Sequence, residues 1–332
     1  YRYYDPTPLI DAMFNIKYVL NKDLEYRKDR YQLLDSFGNV YVYRNDQVLP
    51  LGFLVNTGIT DWQTSGSQPF AVQNEFIRKA AGIDRDMFTM LPLEHITHAN
   101  MEVTELSDGP ACFNYSLTHP EDLSLLPTIT AEYTSDRDQY LFLYVDAANA
   151  KRFIYHTDHS DDDRELSAGR SLMDIGHVSA GEKVTIEFTV SKKGEFERTY
   201  RKEGTVKLYL ASYDDAVFQD AFQILNNQSM TITGFRDTEI QGIVSAPDDM
   251  TLFTSIPFTK GWSARIDGSP ADITALGDGG VIGLNVPEGD HVISFSYHRK
   301  DFLPSLFLSL LGILLTVSYT IWYSHAHKKE TA

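Results

Sequence analysis

The stretch NVPEGDHVISFSYHRKDFLPSLFLSLLGILLTVSYTIWY, Asn285 to Tyr323, sets two kinds of periodicity side by side. Pro287, Gly289 and Asp290 make a turn, and Ile293, Phe295 and Tyr297 then alternate with serines at the two-residue period of a strand with one buried face. From Phe302 the alternation stops, and 22 residues follow without a charge. At 1.5 Å per residue that run reaches about 33 Å, the thickness of a hydrocarbon core, so it reads as a transmembrane helix rather than a buried core helix. Pro304 suits its first turn. His298, Arg299 and Lys300 precede the run, Trp322 and Tyr323 fit an interfacial belt, and His325, His327, Lys328 and Lys329 follow. The cations are balanced across the run, so charge alone does not orient it.

Outward from this boundary the chain reads as mainly β. Short alternating runs separated by polar turns fill residues 94–211: ACFNYSL, LPTITAEY, QYLFLYVDA, KRFIYHT, EKVTIEFTV and VKLYLASY. That spacing is the mark of a sandwich or jelly roll. A second β-rich unit covers Ser229 to Arg299, and the two share a plan. LFLYVDAANAKRFIYHTD in the first matches LFTSIPFTKGWSARIDGS in the second, and HVSAGEKVTIEFTV matches NVPEGDHVISFSYH. The fold class expected is mainly β, with α+β character at the N-terminus, two tandem β-sandwich or jelly-roll-like units and one C-terminal transmembrane helix. The expected divisions are a mixed α/β segment over 1–92 packing on the sandwich, a first β unit over 93–213, a linker helix and second β unit over 214–300, the helix over 301–324, and a cytoplasmic tail over 325–332. Within the first segment, helices are expected near Pro8 to Phe14 and over Pro69 to Ala81, stopped by Gly82, and strands at Ile16 to Leu20 and Asn39 to Asn45. A further helix is expected between Asp214 and Asn227.

The 332 residues carry 29 Lys and Arg against 46 Asp and Glu, a net charge of −17, which excludes nucleic acid as a default partner. The single Cys112 excludes an internal disulfide and multi-cysteine metal sites. No cofactor is expected in this chain. HTDHSDDDRE gathers His156, Asp158, His159, Asp161, Asp162 and Asp163, but lacks the spaced ligands and glycine turn of a calcium loop and reads better as a solvated hairpin tip. His95 and His98 lack a metalloprotease spacing. LGDGGVIG, Leu276 to Gly283, precedes a strand rather than a helix, so it is expected to be a hairpin turn, not a phosphate loop. No nucleophile elbow is present, and Cys112 has no activating signature. Asn114-Tyr-Ser116 and Asn227-Gln-Ser229 match glycosylation acceptors that only a eukaryotic secretory route would use. Trp62 and Trp262 are the candidate sugar platforms, although tryptophans in such contexts more often pack in a core.

KGWSARIDGSPADI (Lys260–Ile273), then NVPEGDHVISFSYHRKDF (Asn285–Phe302) and the final helix, resemble the C-terminal part of the bacterial YfhO family of polytopic membrane proteins. DAMFNIKYVL and VYRNDQVLPLGFLV resemble upstream family segments, with Leu51 and Gly52 where the family has Arg-Ala. The resemblance implies a GT-C-like glycosyltransferase that moves sugar from a polyprenyl-phosphate carrier to an envelope acceptor such as teichoic acid on the outer membrane face. It implies partners in the lipid bilayer, the upstream transmembrane domain and a cell-envelope glycan, with the β-rich region extracytoplasmic. The family's catalytic acid belongs to an early loop outside this chain, so no catalytic residue is assigned. The matched residues Gly261, Trp262, Asp267, Gly268, Pro287, Gly289, His291, Phe295 and Tyr297 read as structural: turns at Gly261, Asp267-Gly268 and Pro287-Gly289, and a core place for Trp262. His291 is either a plain strand residue, the favoured reading, or a hydrogen-bond partner across the turn. Two other readings stay open: a membrane-anchored, non-enzymatic carbohydrate-binding or adhesion sandwich, and a tail-anchored cytosolic protein.

Overall fold

The computed structural model describes residues 7–22, 24, 30–65, 68–107, 109, 111–120, 122, 124–147, 150–158, 161–165, 169–190, 202–299 and 302–327. The first described element is helix α1 (Pro8–Met13), capped by the Thr7 hydroxyl and opened by a proline. Strands β1 (Tyr18–Asn21), β2 (Tyr31–Phe37) and β3 (Val40–Asn45) form a small sheet in the order β1-β3-β2. Strand β4 (Gly52–Val55) follows, buried at all four positions, and then a 3₁₀ turn over Thr57–Asp61. Helix α2 (Pro69–Ala81) ends as the sequence predicts, with Gly82 in the left-handed region at φ +70°.

The first sandwich uses β5 (Phe88–Leu91), β6 (Glu94–Ala99), β7 (Met101–Glu105), β8 (Cys112–Leu117), β9 (Thr128–Thr134), β10 (Gln139–Ala147), β11 (Ala150–His156), β12 (Asp161–Glu165), β13 (Arg170–Val178), β14 (Lys183–Val190) and β15 (Glu203–Tyr213). One sheet runs β13-β10-β15-β8-β7, with β5 also on β15, and the other runs β12-β11-β14-β9-β6. Helix α3 (Asp215–Asn227) crosses to the second sandwich, its first turn capped by Asp214. There β16 (Thr231–Arg236), β17 (Glu239–Ala246), β18 (Met250–Pro257), β19 (Trp262–Ile266), β20 (Ser269–Ala271), β21 (Ile273–Leu276), β22 (Val281–Val286) and β23 (Gly289–Tyr297) build sheets β16-β17-β23-β19-β20 and β21-β22-β18-β4. Helix α4 (Phe302–His327) is the last of the described elements.

The repeat expected from sequence is present in the topology. β10 and β18 each lead into a strand of the opposite sheet, β11 and β19, and β13/β14 pair with β10/β11 as β22/β23 pair with β18/β19. The order β12-β11-β14-β9-β6 is therefore matched, strand for strand, by β20-β19-β23-β17-β16.

Three apolar cores fix how these pieces stack. Leu141, Leu143, Ile186, Phe188 and Leu208 lie between the two sheets of the first sandwich. Leu54, Leu252, Leu284, Ile293 and Phe295 lie between those of the second. The central core joins the outward faces of one sheet from each sandwich, through Phe142, Tyr213, Phe53 and Phe253, to apolar faces of α1, α2 and α3, through Met13, Phe76 and Phe218. The layers thus run sheet, sheet, helices, sheet, sheet. Adjacent residues of β4 serve different cores, Phe53 and Val55 the central one and Leu54 the second, as a strand buried on both faces must. Cys112 is buried in the central core as a free thiol.

Candidate functional site

The motif residues of the second sandwich gather at the two ends of the β19–β23 pairing, which runs in register from Trp262↔Tyr297 to Ile266↔Ile293. At one end Asp267 (φ +51°) and Gly268 (φ +80°) form the tight turn into β20, both residues in the left-handed geometry of a hairpin turn. The Asp267 carboxylate faces both ways: Oδ1 accepts the Val292 N–H at 2.8 Å, and Oδ2 lies 2.8 Å from His291 Nδ1. His291 is thus a cross-turn partner rather than the plain strand residue favoured from sequence, because the turn brings the carboxylate to its ring. Because the carboxylate only accepts, Nδ1–H is the donor, and Nε2 lies buried on the other side of the ring. The His291 hydrogen bond, then that from Val292, holds the Asp267 carboxyl below its ordinary range, and the same Asp267 bond pushes His291 up. Gly289 sits at φ +128°, where a Cβ would also press on the imidazole at 3.3 Å.

At the other end, Trp262 packs on Tyr297 with ring centroids 5.2 Å apart, and Phe295 is fully buried between the sheets. Gly261 accepts the His298 N–H at 2.9 Å. A Cβ there would fall 2.9 Å from Tyr297 Cζ and closer still to Cε2. The chain turns here before β19, the Trp262 N–H reaching the Thr259 carbonyl at 3.3 Å, and the aromatic ring crossing the turn is what leaves no room for a side chain.

Trp62 belongs to the central core, away from Trp262, which packs on the second. Its Nε1 donates to the Val72 carbonyl at 3.0 Å, and its ring meets Phe76 edge-on at 5.1 Å. Gly277 covers another part of the ring, since a Cβ there would lie 2.8 Å from Trp62 Cζ3. The neighbouring Asp278 accepts the N–H groups of Thr64 (2.7 Å) and Ser65 (2.6 Å), which hold its carboxyl below the ordinary range. Leu276 to Gly283 is a hairpin turn between β21 and β22, as expected, and it fastens the loop that carries Trp62.

Sequence alone does not single out a further concave polar surface. It is a cleft of about 440 Å³ on the first sandwich, where register aligns two rows across β15, β8 and β7: Glu203–Ser116–Glu102 and Thr205–Asn114–Thr104. Thr205 Oγ1 donates to Asn114 Oδ1 at 2.8 Å. The rows offer carboxylates, hydroxyls and an amide, groups suited to sugar hydroxyls, while the two glutamates repel phosphate. The only sequence signal for the cleft was the Asn114-Tyr-Ser116 triplet.

Among the described residues no three His, Cys, Asp or Glu side chains could hold a metal ion. His156 and Asp161 face each other at the end of the β11–β12 hairpin, so the run spans the hairpin end with Asp161, Asp162 and Asp163 in strand β12 rather than in the tip and described only by their backbone; His159 lies outside the described residues. His98 Nδ1 is 3.0 Å from the Met101 carbonyl, and His95 sits apart at φ +47°.

Helix α4 contains a 20-residue span, Pro304–Tyr323, of mean hydropathy 1.8 with none of it buried. It is long and apolar enough to cross a bilayer, and the tail cations Lys328 and Lys329 lie outside the described residues. The model of the family described as "Bacterial membrane protein YfhO" matches residues 1–309. The chain belongs to the YfhO family. Membership and the bare apolar helix together make it a membrane protein associated with the lipid bilayer. No curated protein matches this YfhO-family sequence. Solved structures with some likeness include a Paenibacillus sp. cycloisomaltooligosaccharide glucanotransferase (8% identity, TM-score 0.23, 62% of this chain and 45% of that one). An Eisenbergiella tayi GH2 β-galacturonidase (8%, 0.25, 64% and 37%) and a Ruminococcus gnavus β-glucuronidase (7%, 0.23, 65% and 40%) are others. The matches span less than half of each of those chains, and overlaps this loose carry no argument about activity.

Proposed function

We propose that the chain is the extracytoplasmic C-terminal region of a multi-pass membrane glycosyltransferase of the GT-C type. The whole enzyme would transfer sugar from a polyprenyl-phosphate carrier to a cell-envelope polymer such as teichoic acid, with its catalytic residues outside this chain. The region's own task is acceptor binding or support of the membrane domain. The observation that carries this reading is the YfhO match over residues 1–309. The cleft supports acceptor binding: Asn114, Ser116, Thr104 and Thr205 present hydrogen-bonding groups to a polyol, and the contacts would be to sugar hydroxyls rather than to the phosphates of a polyanion. The Trp262–Tyr297 pair, close in sequence to α4, supports the second task by stiffening the junction with the membrane.

The test is made on the full-length protein in its host. External protease should digest both sandwiches in intact spheroplasts, and a strain lacking the gene should lose sugar from an envelope polymer until the gene is restored. Asn114→Ala with Thr205→Ala should reduce transfer through KM if the cleft binds acceptor. Protection of the sandwiches from protease, or unchanged envelope sugar in the deletion strain, would overturn the reading. The same cleft also fits an anchored carbohydrate-binding module without activity; glycan binding by the chain in a strain whose envelope sugars never depended on the gene would favour that alternative.

A further inference from the structure

The sheet β1-β3-β2 has one face turned into the protein and one left bare among the described residues. Tyr31 and Tyr43 fill the inward face and are buried. On the other face the register sets Tyr18 beside Arg44, Leu20 beside Val42 and Phe37 beside Val40. Tyr18 is 58% exposed, Leu20 70% and Phe37 68%. Scattered apolar side chains are ordinary on a surface, but three large ones gathered on one face of so small a sheet mark a contact.

The charges around this face differ from those of the rest of the chain. Arg30 turns inward onto Asp174, and the charged side chains described on the sheet and at its ends are Lys17, Lys22 and Arg44 against Asp35 and Asp46, a net +1 within a chain of −17. Lys17 lies 5.9 Å from the centre of the Tyr18 ring, and Lys22 follows the end of β1. We propose that this face rests on the anionic headgroup surface of the bilayer, with Tyr18, Leu20 and Phe37 in the interface and Lys17 and Lys22 toward lipid phosphates. Amphipathic surfaces of aromatic, aliphatic and basic residues bind there through apolar burial plus attraction to anionic lipid. The acidic bulk of the chain is repelled by the same surface, so electrostatics alone would turn this sheet toward it. Helix α4 holds the chain at the bilayer, so the second contact forms at high effective concentration and needs little affinity of its own. The inference stands on bilayer association and does not depend on the glycosyltransferase reading.

The test uses the full chain reconstituted through α4 into vesicles of phosphatidylcholine with phosphatidylglycerol. Leu20→Cys and Phe37→Cys would each carry an environment-sensitive dye, with Ser245→Cys, exposed on β17, as the reference and Cys112 buried out of reach. Headgroup spin-labelled lipid should quench the dye at 20 and 37 several-fold more than at 245, and the difference should shrink in pure phosphatidylcholine or at high salt. Phe37→Glu should weaken quenching at 20. Equal quenching at all three positions would overturn the proposal. So would shielding of position 20 from aqueous iodide without lipid quenching, which would assign the face to a protein partner instead.

Discussion

The two sandwiches share one strand order in their outer sheets and differ in how their inner sheets are closed. In the first, the place beside β10 is taken by β15, a long strand from the same unit. In the second, the corresponding place beside β18 is taken by β4, four residues drawn from the N-terminal segment. Thr251↔Val55 and Leu252↔Leu54 thus pair across almost 200 positions of sequence. Loop-closure entropy grows only logarithmically with length, so the distance itself costs little. So short a strand holds because all of it is buried and because its two faces feed two cores. A repeated architecture can therefore be closed locally in one copy and from a distance in the other, provided the borrowed strand is packed on both sides.

The largest expected effect tests that closure directly. Phe53→Ala should cost about 3–5 kcal/mol as a buried aromatic truncation. Because Phe53 stands in the central core, hydrogen exchange should accelerate in β10 and β15 as well as in β18. Phe295→Ala removes a ring of the same size from the second core only, and its exchange changes should stay in the second sandwich. Spread of the Phe295→Ala effect into β10 would show that the cores do not divide as described.

Next in size is Gly261→Ala, expected to cost about 1–3 kcal/mol in chemical denaturation because the new methyl meets Tyr297. Tyr297→Ala in the same chain should return part of that loss; an additive double variant would remove the ring as the cause. The Asp267–His291 clasp should give a smaller, pH-dependent signal. Folded His291 titrates above 6.5 and folded Asp267 below 3.8. Its stabilisation is therefore complete between those values, lost as pH rises through the raised His291 pKa, and lost as pH falls through the lowered Asp267 pKa. Asp267→Asn should lower Tm more near about pH 5 than near about pH 9, and an equal loss at both would contradict the linkage. Smallest of all, Asp278→Asn should speed amide exchange at Thr64 and Ser65 while leaving global stability unchanged.

The features written in local sequence were legible. α2 spans Pro69–Ala81 and stops at Gly82, α3 fills Asp215–Asn227, and the duplicated hairpins fall where the paired motifs stand. Periodicity and caps are properties of neighbouring residues, and these elements depend on little else. What sequence did not reveal depends on distant pairing. GFLV reads as a short apolar run, and nothing in it names β18 as its partner. The reason for Gly261 lies 36 positions away, in the ring of Tyr297. The cleft was invisible for the same cause: Glu102, Asn114 and Thr205 become neighbours only through the registers of β7, β8 and β15. His291 is a strand residue whose added bond is not legible locally, because it runs to a turn 24 residues earlier.

Strand β23 lies in the middle of its sheet, paired with β17 from Glu239 to Ala246 on one side and with β19 on the other, and only four residues separate its end from α4. Tension along the membrane helix would therefore pull β23 lengthwise and load both ladders of hydrogen bonds in shear at once, instead of peeling them apart singly. A fold pulled in that direction resists as a unit, which suits a domain joined so closely to a helix long and apolar enough to cross a bilayer.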